Sequence, residues 1–208
     1  MFDRKQHWEK VYSSKSPFEV SWYEADPELS LRLINDTGVE RGAAIIDVGG
    51  GASNLVAMLS ELGYQDLSVL DISANALAQA KLRMKDADCD VHWYEEDITR
   101  FEPPRKFDLW HDRAVFHFLT SQEDRDSYVA VLKKALAPGS HLVIMTFAID
   151  GPVKCSGLDI VQYDSDKMLA ALGEHFKLVE EGVEIHTTPA GGQQKFVFFR
   201  FKYMPIIR

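Results

Sequence analysis

The chain has 208 residues, 46% hydrophobic and 26% charged, with a formal net charge of −9 at pH 7. That length suits one α/β domain with a sizeable core, and that composition excludes disordered and fibrous classes. The acidic balance offers no footprint for a nucleic-acid backbone, and two widely spaced cysteines, Cys89 and Cys155, exclude a disulfide framework or zinc knuckle.

The opening residues Met1 to Trp8 are polar and lack the apolar stretch of a signal peptide. The most apolar run, Leu142 to Ile149, is too short to span a bilayer. A cytoplasmic protein without membrane contact is therefore expected. Residues 1–40 read as an N-terminal lid or extension and 41–208 as the core of a single domain spanning 1–208. Within the extension, Leu29, Leu31, Leu33 and Ile34 predict a packing helix, while Trp8, Tyr12, Trp22 and Tyr23 form an aromatic group. Such rings would either pack on the sheet or close over a cation, whose charge an aromatic face stabilises.

The core begins with the apolar run Ala43 to Ile46, which ends in Asp47-Val48-Gly49-Gly50-Gly51-Ala52-Ser53. Glycines let a ligand approach the backbone, and a following helix offers unpaired N–H groups. A dinucleotide loop would place a third glycine at Asn54 and would not put Asp47 beside pyrophosphate. S-adenosylmethionine has no phosphate and carries an ammonium and a sulfonium, so the acid favours it.

Leu55, Met58, Leu59 and Leu62 recur at helical spacing, with Gly63 as the stop. A second buried strand, Leu67 to Leu70, ends in Asp71-Ile72, 20 positions after Gly51, where an acid accepts ribose hydroxyls. Ser73 predicts an N-cap for a helix over Ala74 to Met84. Val91 to Tyr94 lead to Glu95-Glu96-Asp97-Ile98, and Pro103-Pro104 precede a fourth strand, Phe107 to His111.

That strand runs into Trp110-His111-Asp112-Arg113-Ala114-Val115-Phe116-His117. Ligands of open α/β sheets lie beyond the carboxyl ends of strands, so this segment should face the donor. His111, Asp112 and His117 are the catalytic candidates: His111 beside the donor's methionine part, Asp112 with Arg113 orienting a polar substrate or forming an ion pair, and His117 titrating near neutrality. The histidine spacing matches no zinc arrangement, so no metal is expected.

Tyr128, Val131, Leu132, Ala135 and Leu136 predict a helix ended by Pro138-Gly139 before a fifth strand. Cys155 follows on a glycine-bounded loop, either as inert packing or as a thiol for a soft substrate. The β-rich runs Phe176 to Thr187 and Lys195 to Tyr203, joined by seven residues, predict an antiparallel hairpin. On the first of these runs, Glu184 and His186 alternate with Thr188 on one face, as a substrate wall or a solvated surface.

The pattern D-x-G-x-G-x-S at Asp47 to Ser53, the acids Asp71 and Asp97, and the run Leu136 to Ile144 resemble class I S-adenosylmethionine-dependent methyltransferases from about Ala43 onward. The N-terminal His7 to Tyr12 and Val20 to Tyr23 resemble small bacterial thiopurine- and tellurite-resistance-type enzymes. The resemblance implies a Rossmann-like α/β fold: a mostly parallel sheet with an antiparallel C-terminal hairpin and helices on both faces. It implies S-adenosylmethionine as cofactor, with Asp97 accepting the adenine amino group and Ile98 packing on the ring. The expected cofactor-binding set is Trp22, Asp47, Gly49, Gly51, Asp71, Ile72, Asp97, Ile98 and His111. The acceptor is expected to be a small-molecule nucleophile such as a thiol. Alternatives are a protein lysine methyltransferase and a non-catalytic donor-binding protein. Asp112-Arg113-Ala114-Val115 replaces the D/N-P-P-Y/F motif of base and amide methylation.

Overall fold

The computed structural model describes residues 2–14, 16, 19–85, 87 and 89–206. In chain order these form α1 (Arg4–Ser14), α2 (Glu28–Asn35), β1 (Ala44–Val48), a 3-10 turn (Gly50–Ala52), α3 (Leu55–Glu61), β2 (Asp66–Asp71), α4 (Ala74–Arg83) and β3 (Val91–Glu95). There follow β4 (Phe107–Arg113), a 3-10 turn (Phe116–Phe118), α5 (Gln122–Ala135), β5 (Leu136–Phe147), β6 (Lys154–Cys155), β7 (Leu158–Asp159), α6 (Ser165–Leu172), β8 (Phe176–Thr187) and β9 (Gln193–Tyr203).

Seven strands make one sheet in the order β3-β2-β1-β4-β5-β9-β8. The first five are parallel, and β9 runs antiparallel between β5 and β8. The expected mostly parallel sheet with its C-terminal antiparallel hairpin is thus present. Because helices cover both faces, the central strands are buried on both sides and mostly apolar; all five residues of β1 are buried, Asp47 among them. Ile46, Val48 and Trp110 pack with α5 and α6 on one face, while Ile45 and Leu109 pack with α2, α3 and α4 on the other.

Ser73 caps α4, its side chain accepting from the Ala76 N–H. Gly63, at φ +87°, ends the α3 segment in a conformation that side chains resist. Contrary to the expectation from the sequence, Pro138-Gly139 does not separate α5 from β5. The helix ends at Ala135 and β5 starts at once; the register then jumps from Phe107↔Leu136 to Leu109↔His141, so Pro138 and Gly139 lie in a bulge inside the strand. Proline lacks the N–H that a continuous ladder needs, which accounts for the bulge.

Candidate active site

The carboxyl ends of β1, β2 and β4 and the N-terminal segment border a cavity of about 770 Å³ and an adjoining one of about 520 Å³, both volumes counting space open to solvent. Trp22, Val48, Gly49 and Arg113 line both, so the two form one elongated site.

The glycine loop is shaped by its neighbours. Gly49 has φ +72°, and a Cβ there would sit 2.2 Å from Val115 Cγ2. On Gly51 a Cβ would meet Asp71 Oδ2 at 2.8 Å, the oxygen that accepts from the Gly51 N–H at 3.1 Å. Asp71 Oδ1 accepts from Ser73 N–H at 2.9 Å. Burial raises the Asp71 pKa from 3.8 to about 6, against the lowering by those two N–H groups. Asp71 thus joins the loop to the start of α4 and also lines the larger cavity, with Ile72, Asp97 and Ile98.

Asp97 Oδ1 accepts from the backbone and hydroxyl of Thr99, and its Oδ2 lies 3.5 Å from Arg4 Nη1 on α1. The same wall carries Trp8 and Tyr12 of α1, with Trp22 and Phe118. These rings touch edge to face, Trp8 to Trp22 at 5.7 Å, Trp8 to Phe118 at 5.0 Å and Tyr12 to Trp22 at 6.2 Å. The aromatic group of the extension is therefore part of the cavity wall.

Sequence reasoning missed how α1 is held there. Glu9 accepts from Ala74 N–H at 2.6 Å, Asn75 Nδ2 at 2.6 Å and Ser73 Oγ at 3.2 Å, at the positive end of α4. It missed Asn54 as well, whose Nδ2 donates to the Glu24 and Ala25 carbonyls and ties the covering segment to the loop. Arg83 supports the loop from beneath, donating to the Ser53 carbonyl at 2.9 Å and the Gly51 carbonyl at 3.3 Å. An acid in α1 or a basic residue at the end of α4 reads as surface, so no local signal marks these contacts.

Asp47 and His111 project from paired positions on β1 and β4 towards α2. His111 Nδ1 lies 2.7 Å from Asp47 Oδ1 and Nε2 lies 3.0 Å from Ser30 Oγ. All three residues are buried, and they line the smaller cavity. His111 is thus near the loop as expected, but both ring nitrogens are engaged. It serves as a strut between β1, β4 and α2, which leaves no free nitrogen to act as a base.

Asp112 and His117 are corrected. The strand continues to Arg113, so alternation turns Asp112 to the opposite face. Fully buried there, it accepts from Tyr128 OH at 2.6 Å and from the Val115 and Phe116 N–H groups at 3.0 and 3.4 Å. Burial raises its pKa to about 6, but it lines neither of the two cavities and instead holds the turn after β4. His117 is also fully buried, stacked on Phe147 at 4.8 Å, with neither ring nitrogen hydrogen-bonded. Burial and the Arg113 charge lower its pKa to about 3, so it stays neutral instead of titrating near pH 7.

The remaining expectations separate in the same way. Cys155 is buried yet lines the larger cavity, and burial raises its thiol to about 12. His186 is buried, its Nε2 2.8 Å from the Ser21 carbonyl oxygen, so it braces the covering segment. Ala114, a non-glycine residue at φ +68°, forms part of the cavity wall where the chain leaves β4. A strained backbone of this kind persists where packing over-determines it. Among the described residues, no group of three or more His, Cys, Asp or Glu is placed to hold a metal ion, and no helix is long and apolar enough to cross a membrane.

The cavity fits S-adenosylmethionine on its own chemistry. A glycine cradle adjoins it, Asp71 and Asp97 bring acceptors to the larger half, and Asp47 Oδ2 is a buried acceptor with no protein partner at the smaller half. Residues 45–139 match the family described as methyltransferase domain. The ubiquinone/menaquinone biosynthesis C-methyltransferase UbiE of Hahella chejuensis is 23% identical over 168 residues, covering 74% of this chain and 64% of that protein. The chain therefore spans just under two thirds of that relative's length.

Among solved structures, the N-methyltransferase NodS of Bradyrhizobium japonicum in complex with S-adenosylhomocysteine superposes with a TM-score of 0.71 at 18% identity, covering 97% of this chain and 99% of its own. A structure from work on conversion of a disulfide bond into a thioacetal group during echinomycin biosynthesis gives 0.78 at 16% identity, covering 97% and 92%. These likenesses establish the fold. The segment that matches the methyltransferase-domain family, just under half of the chain, takes in the glycine loop and both acid-bearing strand ends.

Proposed function

We propose that the protein transfers a methyl group from S-adenosylmethionine to a small-molecule nucleophile that needs no enzymic base, with a thiol or related soft acceptor as the favoured class. The observation that carries this is the chemistry of the wall beyond the glycine loop: Trp8, Trp22, Ala114, Val115, Phe118, Leu119 and Cys155. Burial raises both titratable hydroxyl and thiol groups of that wall, Tyr12 and Cys155, the thiol to about 12, and Arg113 beside them is held by Glu24 and the Trp22 carbonyl. The histidine and carboxylate expected to act as bases, His117 and Asp112, line neither cavity.

The donor supplies a methyl group already activated by its sulfonium. What remains for the chain is to bind, align and exclude water, and alignment contributes up to about 7–11 kcal/mol for well-held reactants. In this reading Asp71, Ile72, Asp97 and Ile98 hold the adenosine half, Asp47 and the loop glycines Gly49 and Gly51 hold the amino-acid half, and Trp22 covers their junction. The motif at Val20 to Tyr23, similar to thiopurine- and tellurite-type enzymes, agrees with a soft acceptor. So does the absence of a base and amide methylation motif after β4.

The test is an acceptor screen with methyl-labelled donor over thiols, selenols, amines and lysine peptides. Label in the thiol or selenol fraction is expected. Label confined to lysine would favour the protein-methylating alternative, and donor binding without any turnover would favour a non-catalytic binder.

A further inference from the structure

The segment that carries Trp22 over the junction of the two cavities is tied down by a buried group of charges. Arg113 donates through Nη1 to the Trp22 carbonyl at 2.9 Å and through Nη2 to Glu24 Oε1 at 2.6 Å. His186 on β8 reaches the same segment: its Nε2 lies 2.8 Å from the Ser21 carbonyl oxygen, and its Nδ1 lies 3.6 Å from that same Glu24 oxygen. The ring is only 5% exposed, stands edge to face with Phe196 at 6.1 Å, and lines neither cavity.

A carbonyl oxygen only accepts, so Nε2 carries a proton. The Glu24 carboxylate also only accepts. In a neutral ring Nδ1 would turn a lone pair towards that anion, whereas in an imidazolium the same nitrogen attracts it. The surrounding charges favour the imidazolium. Glu24 faces the ring from the covering segment, and Glu184 faces it from β8 itself, half-buried, with Oε2 unpartnered and its pKa raised by burial and by the Glu24 charge. Arg113 comes from β4 with its cation engaged by Glu24, and Cys155 on β6 is a neutral thiol, raised by burial to about 12. Two carboxylates therefore share one guanidinium, and a proton on His186 balances the group; buried charges persist only when paired.

We propose that His186 is a pH-operated clamp on the covering segment. As imidazolium it ties both Ser21 and Glu24 to β8. As neutral imidazole it keeps the Ser21 bond and repels Glu24, which loosens the segment and with it Trp22. Imidazole is the side chain that exchanges these two forms between pH 5 and 8. Because the protonated form gains its partner in the closed arrangement, closure is favoured at low pH and is lost as pH rises. The clamp governs access to the cavities whichever acceptor they take, so it stands apart from the thiol reading.

Hydrogen exchange on the ligand-free protein tests this. The Tyr23 N–H donates to the Val20 carbonyl within the covering segment and reports its closure. Its protection factor, corrected for intrinsic exchange and taken relative to the amides of β1, should be about tenfold higher at pH 6 than at pH 8, the scale of one charged hydrogen bond. In His186→Gln the side chain still donates to Ser21 but takes no proton, and the pH 8 value should hold at both pH values. Glu184→Gln removes one of the two carboxylates and should shrink the pH 6 advantage; it also serves as the test if the His186 variant does not fold. Equal wild-type protection at the two pH values, or a pH effect that survives His186→Gln, would overturn the clamp. High protection at both pH values in Glu184→Gln would place the switching proton on Glu184 and overturn it as well.

Discussion

Asp71→Asn removes the charge of the acid at the end of β2 while keeping its size. In the native protein that carboxylate is only 6% exposed and accepts from Gly51 and Ser73. Burial lifts its pKa from 3.8 to about 6, which at neutral pH amounts to a cost of about 3 kcal/mol for keeping it ionised. A folded-state value above the unfolded one means that its contribution to stability is full below pH 3.8 and is lost as pH rises through about 6.

Donor binding runs the other way, because ribose hydroxyls donate to the ionised form. Affinity for S-adenosylhomocysteine should be flat above about pH 7 and fall as pH drops through 6, to about a tenth by pH 5. Two hydroxyl bonds to a charged acceptor, at about 1.5–3 kcal/mol each, make Asp71→Asn weaker by about a hundredfold or more at pH 7.5, with little pH dependence left. Calorimetric titrations between pH 5 and 8 measure both effects. A flat wild-type profile, or an asparagine variant within about threefold of wild type, would show that the carboxylate serves only the two backbone N–H groups.

Asp97→Ala should weaken the same ligand less than Asp71→Ala, because Asp97 is expected to take a single adenine bond and is held by Thr99 and Arg4; the reverse ranking refutes the division of roles. His117→Leu should leave the pH–rate profile unchanged. Its effect should appear in acid stability: the native pKa of about 3 lies below the unfolded 6.5, so the stabilisation is present above pH 6.5 and drains away as pH falls towards 3. Urea titrations should show wild type losing about 2.5 kcal/mol more than the leucine variant between pH 7 and 4.5, and equal losses would contradict this. Glu9→Ala should loosen α1, costing about 1 kcal/mol of stability and speeding proteolysis of residues 4–14, and unchanged protection would show that the aromatic contacts suffice.

The glycine loop and the acids at the strand ends were legible because they are adjacent in sequence to the features that place them. A strand, a glycine loop and an acid at the next strand end are local, and the hairpin of β8 and β9 followed from two long β-rich runs with a short join. The acceptor half was not, because its geometry depends on alternation counted from the correct strand end. Reading β4 as ending at His111 put Asp112 at the ligand; two more residues of strand turn it to Tyr128 and leave Arg113 facing the covering segment. His111 was expected beside the donor's methionine part; its struts to Asp47 and Ser30 depend on parallel pairing and on where α2 docks. His117 looked titratable in sequence. Only burial against Phe147 shows that it stays neutral.

The most direct test of the central claim is calorimetric titration of the purified protein with S-adenosylhomocysteine and, separately, with NAD. The account predicts one site per chain of micromolar affinity for S-adenosylhomocysteine and no appreciable NAD binding, since Asp47 opposes pyrophosphate and Asn54 stands where the third glycine would be. NAD binding tighter than S-adenosylhomocysteine would contradict it.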